Sequence, residues 1–179
     1  MKHFMIDIET LDTENTAAVI SIGAVVFDPE SQEVEDRTFH VNIKFEEALK
    51  YGTFSESTVA FWERQPKAAT ATLFDPEPIT LREALIEFEK YVKSWKPKPK
   101  FIWGNSPAFD VAILRYACKR TGVTFPFTPW VEMDVRTLKN LLPKGMVPKK
   151  AGVNHSAVDD CIWQCKIVQL FMGFNSLKQ

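Results

Sequence analysis

Asp7 and Glu9 stand two residues apart in the otherwise apolar run Phe4-Met5-Ile6-Asp7-Ile8-Glu9. Side chains alternate along a strand, so a strand here puts both carboxylates on one face. Like charges on one face repel and are costly to bury. A divalent cation offsets that cost, and it requires further oxygen ligands from the ends of other elements. The chain offers them. Asp110 follows Phe101-Ile102-Trp103-Gly104 and the turn Asn105-Ser106-Pro107-Ala108-Phe109, and His155 precedes Asp159 and Asp160. Each has an ordinary structural explanation on its own. An acid in the first turn of a helix complements the helix dipole, and a loop histidine is commonly just a polar residue. Counting one of that last pair, four acids and a histidine at three element ends together suggest a cation-binding centre.

The elements that must position these residues are legible in the pattern. Residues 3 to 8 read as a strand, and residues 18 to 27 as a nearly continuous apolar strand of the buried type. Asp28-Pro29-Glu30-Ser31 is a turn, and residues 34 to 43 are expected to form a third strand antiparallel to the second. Helix signals dominate residues 45 to 95. Thr80-Leu81-Arg82-Glu83 is a capping box opening a helix with Leu81, Ala84, Leu85, Phe88 and Val92 on its apolar face. Phe101 to Gly104 reads as a short buried strand, followed by a helix from Ala108 to Thr121 that Gly122 stops. Trp130 to Met133 suggests a last strand, with Asp134 as N-cap of a helix through Leu142. A loop rich in Pro, Gly and Lys leads to a final helix from Ser156 to Gly173. Strands first, then strand and helix in alternation, predict one mixed α/β sheet with helices packed on it. No internal repeat or linker divides the chain, so residues 1–179 read as one domain.

Composition narrows the class. With 179 residues, 45% hydrophobic and 25% charged, the chain suits an ordinary globular domain with a sizeable core. A net charge of −1 gives no global basic field, so any nucleic-acid contact must rest on a local patch. No signal-type start and no membrane-spanning apolar run is present, so a cytoplasmic location is the expectation. Cys118, Cys161 and Cys165 do not make a disulfide framework and read as small core residues. Asn154-His155-Ser156 matches a glycosylation sequon that carries no meaning without secretion.

The acids and the histidine, in this order and at these element ends, resemble the DEDDh branch of the DnaQ-type 3′→5′ exonucleases. Asp7-Ile8-Glu9 matches that family's Asp-x-Glu motif, Asn105 through Asp110 its second motif, and His155 with Asp160 its His-x4-Asp motif. Thr58-Val59-Ala60-Phe61-Trp62-Glu63-Arg64-Gln65 and Asp134-Val135-Arg136-Thr137 are most similar to a small phage and bacterial subgroup. The resemblance implies a ribonuclease H-like α/β fold, a mixed five-stranded sheet flanked by helices. It also implies metal-dependent removal of 5′-mononucleotides from a free 3′ end.

By the same resemblance Asp7, Glu9, Asp110 and Asp160 hold two Mg²⁺ or Mn²⁺ ions, and His155 takes the proton from the attacking water. Helical periodicity does not choose between Asp159 and Asp160, since both lie off the stripe of Val158, Cys161, Ile162, Cys165, Val168 and Met172. Family spacing favours Asp160. Thr10 and Leu11 are expected against the terminal sugar and base. Trp62 and Phe109 each have two readings, base stacking or core packing. Lys144, Lys149 and Lys150 lie just before His155 and are expected to meet the phosphate backbone, Lys149 foremost, while Lys93 to Lys100 read as plain surface. The expected partner is nucleic acid with a free 3′ end, DNA with a single-stranded end or 3′ overhang foremost and RNA as the alternative. No membrane partner is expected, and family members often pair as homodimers. A non-catalytic binding module on this fold would have no need of clustered repelling acids. Endonucleases of the ribonuclease H type lack the His-x4-Asp element.

Overall fold

A computed structural model describes residues 1–176, with side chains through residue 173. Five strands form one mixed sheet in the order β3-β2-β1-β4-β5. They are β1 (His3–Thr10), β2 (Val19–Phe27), β3 (Phe39–Asn42), β4 (Ile102–Gly104) and β5 (Glu132–Asp134). β1, β2 and β3 pair antiparallel, while β4 runs parallel to β1 and β5 parallel to β4. The helices are α1 (Phe45–Ala48), α2 (Glu56–Glu63), α3 (Lys67–Ala71), α4 (Leu81–Ser94), α5 (Asp110–Thr121), α6 (Val135–Leu141) and α7 (Ala157–Ser176).

The alternation of β1 divides the core. Phe4, Ile6 and Ile8 join the apolar cluster beneath α4 and α5, with Leu85, Phe88, Val92, Ile113 and Leu114. Met5, on the opposite face, joins the cluster beneath α6 and α7, with Trp103, Val135, Cys161, Cys165 and Val168. Asp7 and Glu9 share the parity of Met5 and so face α7. Both faces of the sheet are therefore covered, which is why β2 is buried at every position. The three cysteines are free and buried, as a core reading requires.

Local chemistry accounts for most boundaries. Thr80 and Glu83 exchange the reciprocal bonds of a capping box at α4, and its five expected apolar residues are the buried ones. Asp134 caps α6 by accepting from the Thr137 amide at 2.9 Å. Gly122, at φ 71°, ends α5 in the left-handed conformation. α5 begins at Asp110 rather than Ala108, because the amides of Phe109 and Asp110 both turn back to the Ser106 carbonyl.

The third strand is shorter than the expected span of 34 to 43. Val34 makes only an isolated bridge to Phe27, and regular pairing starts at Phe39. Arg37 breaks the run. Its guanidinium lies 4.0 Å over the Trp95 ring, and its carbonyl accepts from the Tyr91 hydroxyl at 2.7 Å. These contacts pull the backbone away from β2.

A buried histidine sits at the start of β1. The Trp103 indole donates to His3 Nδ1 at 2.9 Å, so the ring is neutral with its proton on Nε2. Burial, reinforced by the chain's amino terminus, pushes its pKa down from 6.5 to about 4. As pH falls below about 6.5 the unfolded chain takes up this proton first, so the native state loses stability until about pH 4. His3→Asn keeps an acceptor for the indole and has nothing to titrate. Its melting temperature should fall less than that of the wild type across this window, with the contribution of all other groups cancelling in the comparison.

Candidate active site

The site forms where β1, β4 and β5 end and α5 and α7 begin. β1 runs on to Thr10, and its pairing with β2 shifts register between Glu9 and Thr10. Such an irregularity re-aims the side chains around it. Asp7, Glu9 and Asp160 each bring a carboxylate oxygen within 4.8 Å of the others. Asp110 is outside that close trio but lines the same cleft of about 320 Å³, as do His155 and Gln164.

Two glycines set the spacing. A Cβ on Gly23 would lie 2.5 Å from the Ala157 carbonyl carbon, so only glycine lets the first turn of α7 rest on β2. A Cβ on Gly104 would lie 2.8 Å from Asp110 Oδ2. That oxygen accepts from the Ser106 amide at 3.0 Å, which fixes the carboxylate over the end of β4.

The electrostatics are those of an acid cluster that Lys150 compensates only in part. Burial, followed by the charges of Asp110, Glu9 and Asp160, holds Asp7 well above the usual carboxylate range. Burial and Asp160 push Glu9 up to about 8, with Lys150 opposing. Burial raises Asp110 to about 7, against the pull of the Ser106 amide. Asp7 Oδ1 accepts from Gln164 Nε2 at 2.7 Å. Gln164 Oε1 and Asn105 Oδ1 are buried without a hydrogen-bond partner among the described residues, and both residues line the acid cleft. A donor set of hard carboxylate and amide oxygens, with orphaned acceptors beside it, fits a hard divalent cation.

His155 is the hinge between two clefts. With Glu9 and Phe109 it also lines an adjoining cleft of about 390 Å³ that holds Thr10, Ser57 and Thr58. Phe61 and Trp62 present their edges to its ring at 5.0 and 5.9 Å. Its backbone takes φ 61°, a left-handed conformation that packing must enforce on a non-glycine residue. Burial keeps its pKa below the ordinary value, and Lys150 adds to this against the pull of Asp160. The imidazole is therefore neutral near pH 7 and able to accept a proton.

The structure separates residues that sequence spacing left together. Asp159 turns away from the trio and accepts from the Val153 amide at 2.8 Å, while Asp160 faces Asp7 and Glu9. Lys150 pairs with Asp160, whereas Lys149 is exposed. Trp62 is 8% exposed and donates its indole proton to the Thr10 carbonyl at 2.9 Å. It packs edge-on against Phe61, yet it still forms part of the second cleft. Phe109 is partly buried and lines both clefts. Thr10 lines the second cleft, but its hydroxyl is committed to the Asp12 carbonyl at 2.6 Å. Leu11 faces instead a separate apolar pocket of about 460 Å³ behind Trp62. Sequence reasoning missed Gln164 and Arg136 in the acid cleft. Gln164 follows Asp160 by four residues and so shares its helix face, a usable signal.

This chain belongs to the family of 3′-5′ exoribonuclease Rv2179c-like domains, whose model matches residues 2–172. It is 28% identical over 199 residues to the exodeoxyribonuclease of Enterobacteria phage T4, an alignment covering 90% of this chain and 85% of the relative. Two solved structures share its fold. One, described as 3′-end specific recognition of histone mRNA stem-loop by 3′-exonuclease, superposes with a TM-score of 0.61 at 14% identity, over 94% of this chain and 80% of that chain. The other, a full-length 3′-exonuclease, gives a TM-score of 0.62 at 15% identity, over 97% and 82%. The protein is thus a 3′→5′ exonuclease acting on nucleic acid, of the DnaQ-like group that its three motifs resemble. Among the described residues no helix is long and apolar enough to cross a membrane.

Gly23→Ala tests the spacing directly. Overpacking against Ala157 should cost about 1–3 kcal/mol in stability. It should also lower exonuclease turnover by more than about tenfold, because the displaced turn carries Asp160 and follows His155. Activity retained in full would show that the close approach of α7 to β2 does not set the site.

Proposed function

We propose that the protein is a single-domain exonuclease that removes 5′-mononucleotides from single-stranded 3′ ends of DNA, with two Mg²⁺ or Mn²⁺ ions bound at its acid cluster. The observation that carries this reading is the convergence of four carboxylates and a neutral histidine on one cleft that opens into a second. Asp7, Glu9, Asp110 and Asp160 would hold the ions. When bound, divalent ions supply charge stabilisation to the phosphoryl group and to the attacking and leaving oxygens.

The remaining work falls to the protein's own side chains. His155 lines the wall common to both clefts and, being neutral, takes the proton of the attacking water at a ring nitrogen. The second cleft receives the terminal nucleoside. Thr10, Ser57 and Thr58 border it, Phe109 and the edge of Trp62 give apolar contact to the base, and Leu11 backs Trp62 from the apolar pocket. Gln164 orients the Asp7 carboxylate, and Lys149 meets the phosphate backbone. The DNA reading is supported by the exodeoxyribonuclease relative, which aligns over nearly the whole chain. RNA is the second reading, because the matching family is described as exoribonuclease-like.

His155→Ala should reduce turnover by about a hundredfold or more while leaving Mn²⁺ binding, read by calorimetry, near the wild-type value. Near-normal turnover would remove His155 as the base. Glu9 and Asp12 border the second cleft and, among the described residues, no Lys or Arg does, so a 3′-phosphorylated oligonucleotide should resist degradation that a 3′-hydroxyl end undergoes. Parallel digestion of single-stranded DNA, duplex DNA and RNA decides the substrate. Faster loss of RNA would overturn the DNA reading.

A further inference from the structure

Charge is divided unevenly around His155. Among the described residues, the cleft assigned to the terminal nucleoside has no Lys or Arg in its wall. The acid cleft, on the other side of His155 and Phe109, has Arg136 in its wall. Arg136 makes no ion pair among the described residues, although its charge reaches Asp110. One turn further along α6, Lys139 lies 5.5 Å over the Trp163 ring, and Trp163 lines the same cleft. The Trp163 indole donates to the Pro148 carbonyl at 2.8 Å, which ties the loop carrying the exposed Lys149 to this wall. Residues three apart on a helix are surface neighbours, so Arg136 and Lys139 form a short basic row leading away from the acids.

From this division we infer that the strand upstream of the scissile bond leaves the site over α6, its phosphates held by Arg136 and Lys139. The inference rests on the exonuclease reading above and gives it a direction. A terminal nucleoside carries no phosphate beyond the scissile one, so it suits a cation-free cleft. Every nucleotide upstream adds a phosphate, and that series suits a basic row. The acids repel phosphate near the reaction centre, so cations at its rim are needed to seat a polyanion there. The contacts are to phosphate and carry no base specificity.

The test compares wild type, Lys139→Gln and the Arg136→Gln/Lys139→Gln double variant on a dodecameric single strand and on a dinucleotide, with Mg²⁺ and across a salt series. The dinucleotide is the 5′-hydroxyl form, a dinucleoside monophosphate, and so has no phosphate upstream of the scissile one. Each substitution should lower kcat/KM for the dodecamer by about two- to fivefold relative to the dinucleotide. Each should also flatten the salt dependence of the dodecamer by about 0.7 in log–log slope. An unchanged dodecamer slope in the double variant would overturn the proposal. So would an equal loss on both substrates, which would place these residues at the scissile phosphate or in the fold. Failure of the wild type to cut either substrate would instead remove the exonuclease reading itself.

Discussion

Repulsion among carboxylates that the fold forces together is the constraint on which the rest depends. Asp7 and Glu9 lie on the α7 face of a strand covered on both sides, and Asp160 and Asp110 close around them. Burial raises Asp7, Glu9 and Asp110, and the charges of neighbouring acids add to it at Asp7 and Glu9. No core would tolerate this arrangement for packing alone, because isosteric apolar residues would be more stable there. The surrounding structure is shaped to hold it. Gly23 and Gly104 remove the side chains that would separate the acids. Gln164 donates to Asp7, and Lys150 pairs with Asp160. The cluster makes physical sense as a cation site whose folding cost is offset when ions bind.

Function follows from how the neighbourhood is divided. His155 is fixed by two aromatic edges and by a backbone conformation that only tight packing sustains, so its ring stays between the clefts. One cleft gathers the four acids beneath a cationic rim, and the other is lined by hydroxyls, aromatic rings and the carboxylates of Glu9 and Asp12. Asp159 and Asp160, adjacent in sequence, serve different ends. The first holds the loop before His155 through the Val153 amide, and the second faces the acids.

Much of this was legible in the sequence because it is local. Parity along β1 placed both acids on one face, and the apolar stripe and capping box of α4 needed only nearest neighbours. Other features depend on contacts distant in the chain. The truncation of β3 arises from Arg37 stacking on Trp95, nearly sixty residues away. Helical periodicity did not separate Asp159 from Asp160, since their roles are set by the loop and by β1. Arg136 reads as an ordinary polar residue of α6 until the fold brings it beside Asp110. Leu11 and Trp62 are neighbours of the second cleft, but which pocket each side chain fills is a matter of tertiary packing.

The central claim is that the acids are held together for a cation. Thermal denaturation of wild type and Glu9→Gln, each in EDTA and in millimolar Mg²⁺, tests it most directly. A cation bound only by the native state must raise the wild-type melting temperature as its concentration rises. Glu9→Gln should melt above the wild type in EDTA near pH 8, with one repelling acid gone, and should gain far less from Mg²⁺. A wild-type melting temperature indifferent to Mg²⁺ and Mn²⁺ would contradict the account.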